Sequence, residues 1–222
     1  MLRQGKTYLR MTINQPPSQP QGPYARYLHA IKSLERPIVL VGLMGVGKTQ
    51  LGQHLAEKLG WPFKDSDHEI ERVGGLRINE IFDRFGEEKF RELECRVIGE
   101  VLSGEPIVLA TGGGAFAQAA TRDVIQSRAI SVWLRANLET LLHRTQHSKH
   151  RPLLQTGDPA KVLADLMERR YPIYEHAMLA VDTDNFTRWQ TLDVVLDRLH
   201  AYAVTQREIN RTAAAVENPK GN

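Results

Sequence analysis

One eight-residue motif constrains the fold of this chain more than any other feature. Residues 42–49 read Gly-Leu-Met-Gly-Val-Gly-Lys-Thr, which fits G-x-x-x-x-G-K-[ST] without a mismatch, and they directly follow an apolar run at residues 38–41. A strand that leads into a glycine-rich loop and then a helix points several backbone N–H groups at one place, where the helix dipole adds partial positive charge. The motif therefore predicts a phosphate site, with Lys48 reaching the β- and γ-phosphates of a nucleotide and Thr49 coordinating Mg²⁺.

The glycines of this loop have a backbone reason, since a Cβ would block the dihedral angles and close approaches that such a loop needs. An ordinary glycine-rich turn is the alternative, but Leu51, Leu55 and Leu59 follow with helical spacing, which favours the phosphate loop. We expect Lys48 to lie in a solvent-facing part of the loop. The predicted nucleotide contacts in this segment are Gly42, Gly45, Val46, Gly47, Lys48, Thr49 and Gln50.

Basic charge is concentrated at the start of the chain. The 222 residues carry a net charge of +3, but residues 1–34 contain five basic side chains and no acidic one, whereas the rest has 24 basic and 26 acidic side chains. This near balance argues against a nucleic-acid-binding surface. With 41% hydrophobic residues, the chain has enough apolar material for one α/β domain with appendages.

The sequence lacks the features of a membrane or secreted protein. Its most apolar stretch, residues 38–47, is far shorter than the roughly 20 residues that a spanning helix needs. The single Cys95 cannot form an intrachain disulfide, and no signal peptide with a clear apolar core opens the chain. We therefore expect a cytoplasmic protein without membrane or nucleic-acid partners, and we expect a monomer.

Three regions are predicted along the chain. Residues 1–35 form an extension, largely disordered because residues 15–23 are polar and rich in proline, with a short helix indicated by the apolar spacing of residues 24–34. The basic, acid-free leader also resembles an organellar transit peptide, although serine is scarce. Residues 36–204 form the folded domain, and residues 205–222 form a polar tail.

Apolar runs alternate with helical patterns in the domain. This alternation predicts a parallel sheet with helices on both faces, in which ligands bind at the carboxyl ends of the strands. The polar, aperiodic residues 147–158 predict a mobile loop. The predicted strands are residues 38–41, a short run that ends at Asp65, and residues 107–110, 129–134 and 179–181; the predicted helices include residues 87–102, 138–145 and 188–204.

Two acids close the second predicted strand. Asp65 suits Mg²⁺, because this ion binds through one or two carboxylates, water and phosphate oxygens. Asp65 and Asp67 are two apart on an extended segment, so we expect them to point to the same side and Asp67 to face an acceptor hydroxyl. A helix cap at Ser66 or Asp67, without chemistry, is the alternative.

Three consecutive glycines, residues 112–114, follow the third predicted strand. A turn needs only one glycine, so three suggest a backbone held close to a small ligand, with a plain flexible loop as the alternative. Three arginines, Arg91, Arg151 and Arg170, are candidates for charge recognition, although arginines are usually solvated surface charges.

An ordered set of short motifs, taken together behind the phosphate loop, resembles the shikimate kinases over residues 36–204. The resemblance implies a three-layer P-loop kinase fold of the nucleoside-monophosphate-kinase type, with a five-stranded parallel sheet, helices on both faces, a small substrate-binding subdomain and a lid at about residues 146–158. The motifs are Phe-Lys-Asp-Ser-Asp-x-x-Ile-Glu at 63–71, Ile-Asn-Glu-Ile-Phe at 78–82, Gly-Glu-x-x-Phe-Arg-x-x-Glu at 86–94, Ala-Thr-Gly-Gly-Gly at 110–114 and Arg-Pro-Leu-Leu at 151–154.

The resemblance also implies how the acceptor is bound. Arg91 and Arg170 would pair the carboxylate of shikimate, since the planar fork of arginine matches a carboxylate, and Asp67 would bind its hydroxyls. Arg169 is adjacent, and only alignment to Pro172 and Tyr174 favours Arg170. The implied substrate-binding set is Asp67, Arg91, Gly112, Gly113, Gly114 and Arg170, with Ile78, Phe82, Phe90 and Glu94 lining or bracing the pocket.

By the same resemblance, Arg151 would move in with the lid to contact the nucleotide and the transferred phosphate, and Arg144 would contact adenine, with the adenine loop after Asp182. The implied reaction transfers the γ-phosphate of ATP to the 3-hydroxyl of shikimate, a step of chorismate and aromatic amino-acid biosynthesis. The implied catalytic residues are Lys48, Asp67 and Arg151, and the implied Mg²⁺ ligands are Thr49 and Asp65.

Two other functions compete with this interpretation. A gluconate kinase of similar architecture also phosphorylates a small hydroxy acid, but the Asp-Ser-Asp, triple-glycine and Phe-Arg motifs disfavour it. A catalytically silent nucleotide-binding regulator is disfavoured because every expected charge is present. Turnover of ATP that requires shikimate separates the three.

Overall fold

The structure, a computed structural model, describes residues 24–146 and 158–217. These residues form five strands, eight α-helices and one 3₁₀ turn. In chain order they are α1 (Tyr24–Lys32), β1 (Ile38–Val41), α2 (Lys48–Leu59), β2 (Phe63–Asp65), α3 (Ser66–Gly74), α4 (Ile78–Val101), β3 (Val108–Ala110), a 3₁₀ turn (Ala115–Ala117), α5 (Ala119–Arg128), β4 (Ile130–Arg135), α6 (Leu138–Thr145), α7 (Pro159–Tyr174), β5 (Leu179–Asp182) and α8 (Arg188–Glu217).

The strands form one five-stranded parallel sheet in the order β2-β3-β1-β4-β5. β1 lies at its centre, where Ile38 pairs with Val108 on one side and with Ile130 on the other. All four residues of β1 are buried, as expected for a strand of a parallel sheet that is covered on both faces by helices. The predicted sheet is therefore confirmed, and its carboxyl edge carries the phosphate loop.

The predicted short helix before the sheet is confirmed as α1, and it packs against α8 and α2. Ile31 is 0% exposed in the main core, and the ring of Tyr27 stacks on His200 of α8 at 4.2 Å. Farther along α8, Arg207 donates a hydrogen bond to Ser33 at 2.6 Å. The helix is therefore docked on the domain, as its apolar spacing suggested, and the packed region begins within the residues 1–35 that the sequence assigned to an extension.

A second, smaller hydrophobic cluster lies between α3 and α4, apart from the main core. Its buried members are Ile70, Ile81, Phe90 and Val97. Such a satellite cluster is what a small subdomain beside the sheet requires. The predicted helix over residues 87–102 is the second half of α4, because Gly86, with φ 78° and ψ 173°, breaks the helix there.

Two helix boundaries differ from those predicted. The last helix, predicted to end near Val204, continues to Glu217 through residues that the sequence assigned to a polar tail. Asp67 lies in the first turn of α3 and not on a strand, because the strand ends at Asp65. In residues 24–146 and 158–217, no helix is long and apolar enough to cross a bilayer.

Candidate active site

The carboxyl ends of β1, β2 and β3 open into a cleft of about 1820 Å³. Pockets for one small ligand usually measure about 300 to 1000 Å³, so this cleft has room for two ligands side by side. It brings together most residues singled out from the sequence: Gly45, Val46, Gly47, Lys48, Thr49, Gln50, Asp65, Asp67, Arg91, Gly112, Gly113, Gly114, Arg144 and Arg170.

The phosphate loop is held tightly against the sheet. Gly42 has φ 139°, and a Cβ there would lie 2.5 Å from the carbonyl oxygen of Leu134, so this position accepts only glycine. Lys48 is only 8% exposed, and its ammonium donates to the carbonyls of Gly42 at 2.8 Å and Leu43 at 2.9 Å. The expectation that Lys48 faces solvent was wrong, because the loop folds around its side chain.

The second strand ends beside the start of α2. The hydroxyl of Thr49 donates to Oδ2 of Asp65 at 2.9 Å, and Oδ1 of Asp65 accepts from the backbone N–H of Asp67 at 3.1 Å and caps α3. Asp65 therefore caps the helix and also faces the phosphate loop. The expected geometry, two acids on one extended segment, was wrong because the chain turns into α3 immediately after Asp65.

The oxygens of Thr49 and Asp65 fit Mg²⁺. Over the described parts of the chain, no three or more His, Cys, Asp and Glu side chains are grouped as a metal site. Mg²⁺ is commonly held by one or two carboxylates together with phosphate oxygens and water, and the adjacent hydroxyl and carboxylate supply this kind of partial ligand set.

Asp67 lies in the cleft between the phosphate loop and the triple-glycine segment. Burial raises the pKa of its carboxyl, the neighbouring Asp65 charge raises it further, and Lys48 lowers it in part. A Cβ at Gly112 would lie 2.7 Å from Oδ1 of Asp67, so the glycine makes room for this carboxylate. Ser66, which the sequence suggested only as a helix cap, accepts a hydrogen bond from the N–H of Gly112 at 2.9 Å.

Arg91 projects from the second half of α4 and contacts two glutamates. Its Nη1 donates to Glu94 at 2.7 Å, while its Nε and Nη2 donate to Glu87 at 3.3 and 3.1 Å. Glu94 is 1% exposed; burial raises the pKa of its carboxyl, and Arg91 lowers it in part. A Cβ at Gly114 would lie 2.8 Å from Nη2 of Arg91, so this glycine also clears space for a functional group.

The adjacent arginines of α7 both line the cleft but donate hydrogen bonds to different partners. Arg170 donates to the carbonyl of Gly113 at 2.8 Å, next to Tyr174, whose hydroxyl donates to the same carbonyl. Arg169 donates back to the carbonyl of Asp165 in its own helix. The geometry thus joins Arg170 to the triple-glycine segment. The tyrosine was not found from the sequence, where it served only to align Arg170.

Arg144 lies at the other end of the cleft. Its guanidinium donates to the hydroxyl of Thr183 at 2.9 Å and to the carbonyl of the same residue at 2.8 Å, and this residue directly follows β5. Arg144 is therefore tied to the segment predicted as the adenine loop. Thr183 was missed, because a threonine after a strand carries no distinctive signal. Arg151 and residues 147–157 of the predicted lid lie outside the described residues.

This combination defines a class of protein. A doubly covered parallel sheet, a phosphate-loop motif at the end of its central strand and an adjacent hydroxyl–carboxylate pair are the parts of a P-loop phosphotransferase. The part of the same cleft that Asp67, Arg91 and Arg170 line suits a small hydroxylated acid as the acceptor.

Comparison with known proteins identifies the particular family. The family model described as Shikimate kinase matches residues 44–200. A shikimate kinase from Paramagnetospirillum magneticum is 48% identical over 174 residues, 78% of this chain and 89% of that protein. One from Ruegeria pomeroyi is 45% identical over 177 residues, 80% of this chain and 89% of that protein. The chain therefore belongs to the shikimate kinase family.

Solved structures agree. A shikimate kinase from Acinetobacter baumannii, in complex with shikimate, is 44% identical and superposes with a TM-score of 0.70, over 75% of this chain and 94% of that one. The Aquifex aeolicus shikimate kinase is 33% identical with a TM-score of 0.67, over 75% and 98%. A gluconokinase from Sinorhizobium meliloti, 20% identical with a TM-score of 0.56 over 78% and 96%, shares only the fold.

Proposed function

We propose that this chain transfers the γ-phosphate of ATP to the 3-hydroxyl of shikimate, giving shikimate 3-phosphate and ADP in chorismate biosynthesis. One observation carries the proposal: Asp67, Arg91 and Arg170 line the same cleft as Lys48 of the phosphate loop. An acceptor held there has its hydroxyl beside the phosphate site. We extend the proposal to a monomeric, cytoplasmic enzyme that requires Mg²⁺.

At the nucleotide end, backbone N–H groups of the phosphate loop and the ammonium of Lys48 receive the phosphates, and the segment after β5, tied to Arg144, receives adenine. The metal would be held by Thr49 and Asp65. Mg²⁺ bound there offsets negative charge on the phosphate oxygens. Support for this assignment comes from the 2.9 Å contact between the Thr49 hydroxyl and the Asp65 carboxylate beside the loop.

At the acceptor end, Arg91 and Arg170 bind the carboxylate of shikimate, and the carboxylate of Asp67 binds the hydroxyl that attacks. Asp67 orients this hydroxyl and accepts its proton as the new P–O bond forms. The raised pKa of Asp67 brings its basicity closer to that task. A loose phosphoryl transition state demands little base strength, so orientation is the larger part of this role.

Charge on the transferred phosphoryl group is stabilised by Lys48 and by Arg151. In this proposal Arg151 acts when the lid closes. Closure excludes water from the site and brings the arginine to the chemical step. The support for Arg151 is the Arg-Pro-Leu-Leu motif at residues 151–154 within a chain that belongs to the family.

The test is ATP turnover with candidate acceptors. Purified protein with Mg²⁺ is assayed for ADP release alone, with shikimate and with gluconate, and the product is examined by NMR for phosphorus coupling to the proton on carbon 3. Release that requires shikimate, with phosphate on the 3-oxygen, supports the proposal. Release with gluconate alone would indicate a gluconate kinase, and nucleotide binding without turnover would indicate a regulator.

A further inference from the structure

Helix α7 contacts the carboxyl edge of the sheet through two tyrosine hydroxyls that lie one turn apart. Tyr171 donates to the carbonyl of Ala136 after β4, and Tyr174 donates to the carbonyl of Gly113 after β3. The two side chains therefore make the same kind of bond to two different loops, and only the loop after β3 belongs to the acceptor pocket.

The carbonyl of Gly113 accepts a second hydrogen bond, from Nη1 of Arg170 at 2.8 Å. A carbonyl oxygen has two lone pairs, so the two donors together satisfy it. Arg170 is half-buried and flanks the acceptor pocket, and its remaining N–H groups are the ones available to a substrate carboxylate. The Gly113 carbonyl and the Tyr174 hydroxyl, which also hydrogen-bonds Arg170, therefore hold this guanidinium in place.

Tyr174 is held too firmly to adapt to a shifted loop. It is 1% exposed, and its ring lies 6.3 Å from that of Phe116 and 5.9 Å from that of Trp133, measured between ring centroids. Burial raises the pKa of its hydroxyl to about 12, so the group is a neutral donor under all ordinary assay conditions. The enclosed ring of Tyr174 presents one hydroxyl donor at a fixed position. This suits it to hold the glycine loop, which has no side chains to anchor it.

We infer that Tyr174 is a positioning residue for the acceptor: its hydroxyl fixes the Gly113 carbonyl, and this carbonyl in turn orients Arg170 toward the carboxylate of the substrate. The inference rests on the proposed function and adds a residue to it. Tyr174 itself does not line the cleft, so it acts through Arg170 and not by contact with substrate.

The experiment compares Tyr174→Phe with Tyr171→Phe. Both variants keep their ring and lose one hydroxyl that donates to a backbone carbonyl, so both should melt at slightly lower temperature. Only Tyr174→Phe should raise the KM for shikimate, by about three- to tenfold, the effect of one neutral hydrogen bond, while kcat and the KM for ATP change by less than about twofold. Tyr171→Phe should leave all three within about twofold.

A third variant tests the route through Arg170. In an Arg170→Lys background, the fork that meets Gly113 is gone, so adding Tyr174→Phe should raise the KM for shikimate by less than about twofold. If the increases in the KM for shikimate caused by Arg170→Lys and by Tyr174→Phe multiply fully in the double variant, the inference is overturned. An unchanged KM, an equal rise in the KM for ATP, or failure of Tyr174→Phe alone to fold would also overturn it. Parent turnover is measured first, and its independence of shikimate would instead refute the proposed function.

Discussion

Lys48 has a structural task as well as a chemical one. Its ammonium bridges the carbonyls of Gly42 and Leu43, and the side chain is almost fully enclosed. In the described structure the lysine therefore holds the shape of the loop that it serves. A nucleotide phosphate would give this cation an additional, stronger acceptor.

Lys48→Ala should consequently lower both activity and stability. Loss of the charge at the phosphates should reduce kcat by about 10²- to 10³-fold, and loss of the two hydrogen bonds should reduce the free energy of unfolding by about 1 to 2 kcal/mol. Steady-state kinetics and a melting curve measure the two effects. Lys58→Ala, an exposed lysine on the same helix, is the control; parent-like activity in Lys48→Ala would contradict the phosphate-loop assignment.

Asp67 makes stability depend on pH in a direction opposite to that of most carboxylates. Its native pKa is raised above the ordinary 3.8, because burial and Asp65 disfavour the charged form. The folded state therefore binds the proton more tightly than the unfolded chain does. The contribution of Asp67 to the free energy of unfolding is present below 3.8 and is lost as pH rises through the native pKa.

Asp67→Asn should thus separate stability from function. As pH rises from 3.8 through the native pKa of Asp67, the variant should gain stability relative to the parent, and above that pKa the difference should stay constant. Its kcat should fall by about 10²-fold or more. Melting curves across the pH range and kinetics at neutral pH test this. Asp123→Asn, an exposed carboxylate on α5, should leave kcat unchanged. A stability difference that shrinks with rising pH would show that the sign is wrong.

Arg91 and Arg151 should differ in which kinetic constant they control. In the proposed function Arg91 binds the acceptor in the ground state and the transition state alike, so we expect Arg91→Ala to raise the KM for shikimate strongly. Arg151→Ala should lower kcat, by up to about 10³-fold, with a smaller effect on ATP binding, and Arg151→Lys should rescue it poorly. Kinetics with each substrate varied measure this. If Arg151→Ala changes only the KM for shikimate, residues 147–158 are not a lid.

Among the elements, those with an uninterrupted apolar run, such as β1, or a clear apolar helical spacing, such as α6, were predicted best. β1 matches the predicted residues 38–41 and α6 matches the predicted residues 138–145. Helix α5 was not predicted, because it buries only Thr121 and Ile125 and so shows no apolar stripe. Helix α7 was also missed, since Pro172 near its end is normally a signal against a helix.

The break in α4 gives an element-scale prediction. Gly86 has a backbone conformation that is essentially restricted to glycine, and no atom lies within 4 Å of a Cβ placed there, so Gly86→Ala is opposed by backbone strain alone. We expect a loss of about 1 to 3 kcal/mol of stability and a higher KM for shikimate, because the following half of α4 carries Arg91.

Gly104→Ala is the matched control for this variant. Its Cβ would also meet open space, but its φ lies outside the left-handed region, so both the melting temperature and the KM should stay near the parent values. A Gly86→Ala protein with parent-like melting and kinetics would show that α4 tolerates a continuous helix.

On the scale of the whole molecule, the first and last described helices pack against each other. Helix α1 packs on α8, and its residue Ile31 reaches the main core. Deleting residues 1–22 should leave melting and kinetics unchanged, whereas deleting residues 1–33 should remove at least the roughly 1.5 to 3 kcal/mol that burial of Ile31 contributes. Melting curves and kinetics of both deletions test this. Equal melting of the two would show that α1 adds no stability, and a raised KM in the shorter deletion would show that the leader covers a site.

The sequence was sufficient to single out many of the polar residues that line the cleft, but not their arrangement. The phosphate loop and Asp65 come from motifs whose spacing is fixed by local chemistry. The strand order β2-β3-β1-β4-β5 is not encoded in any single apolar run, because each run would pair equally well with several others. The partnership of Arg170 with Gly113 joins residues 57 positions apart, so no local pattern indicates it.

The pairing of Arg91 with two glutamates also bears on selectivity among ring compounds. Glu94 is enclosed and holds Nη1, whereas Glu87 is 66% exposed and occupies the Nε and Nη2 edge of the guanidinium. An incoming carboxylate would displace the carboxylate of Glu87, which is exposed and weakly held, so the net electrostatic cost is small. An uncharged polyol of the same shape has no anion to exchange and would have to leave Arg91 on Glu87. If Arg91 binds the acceptor as proposed, recognition would work by ion exchange, which discriminates by charge before it discriminates by shape.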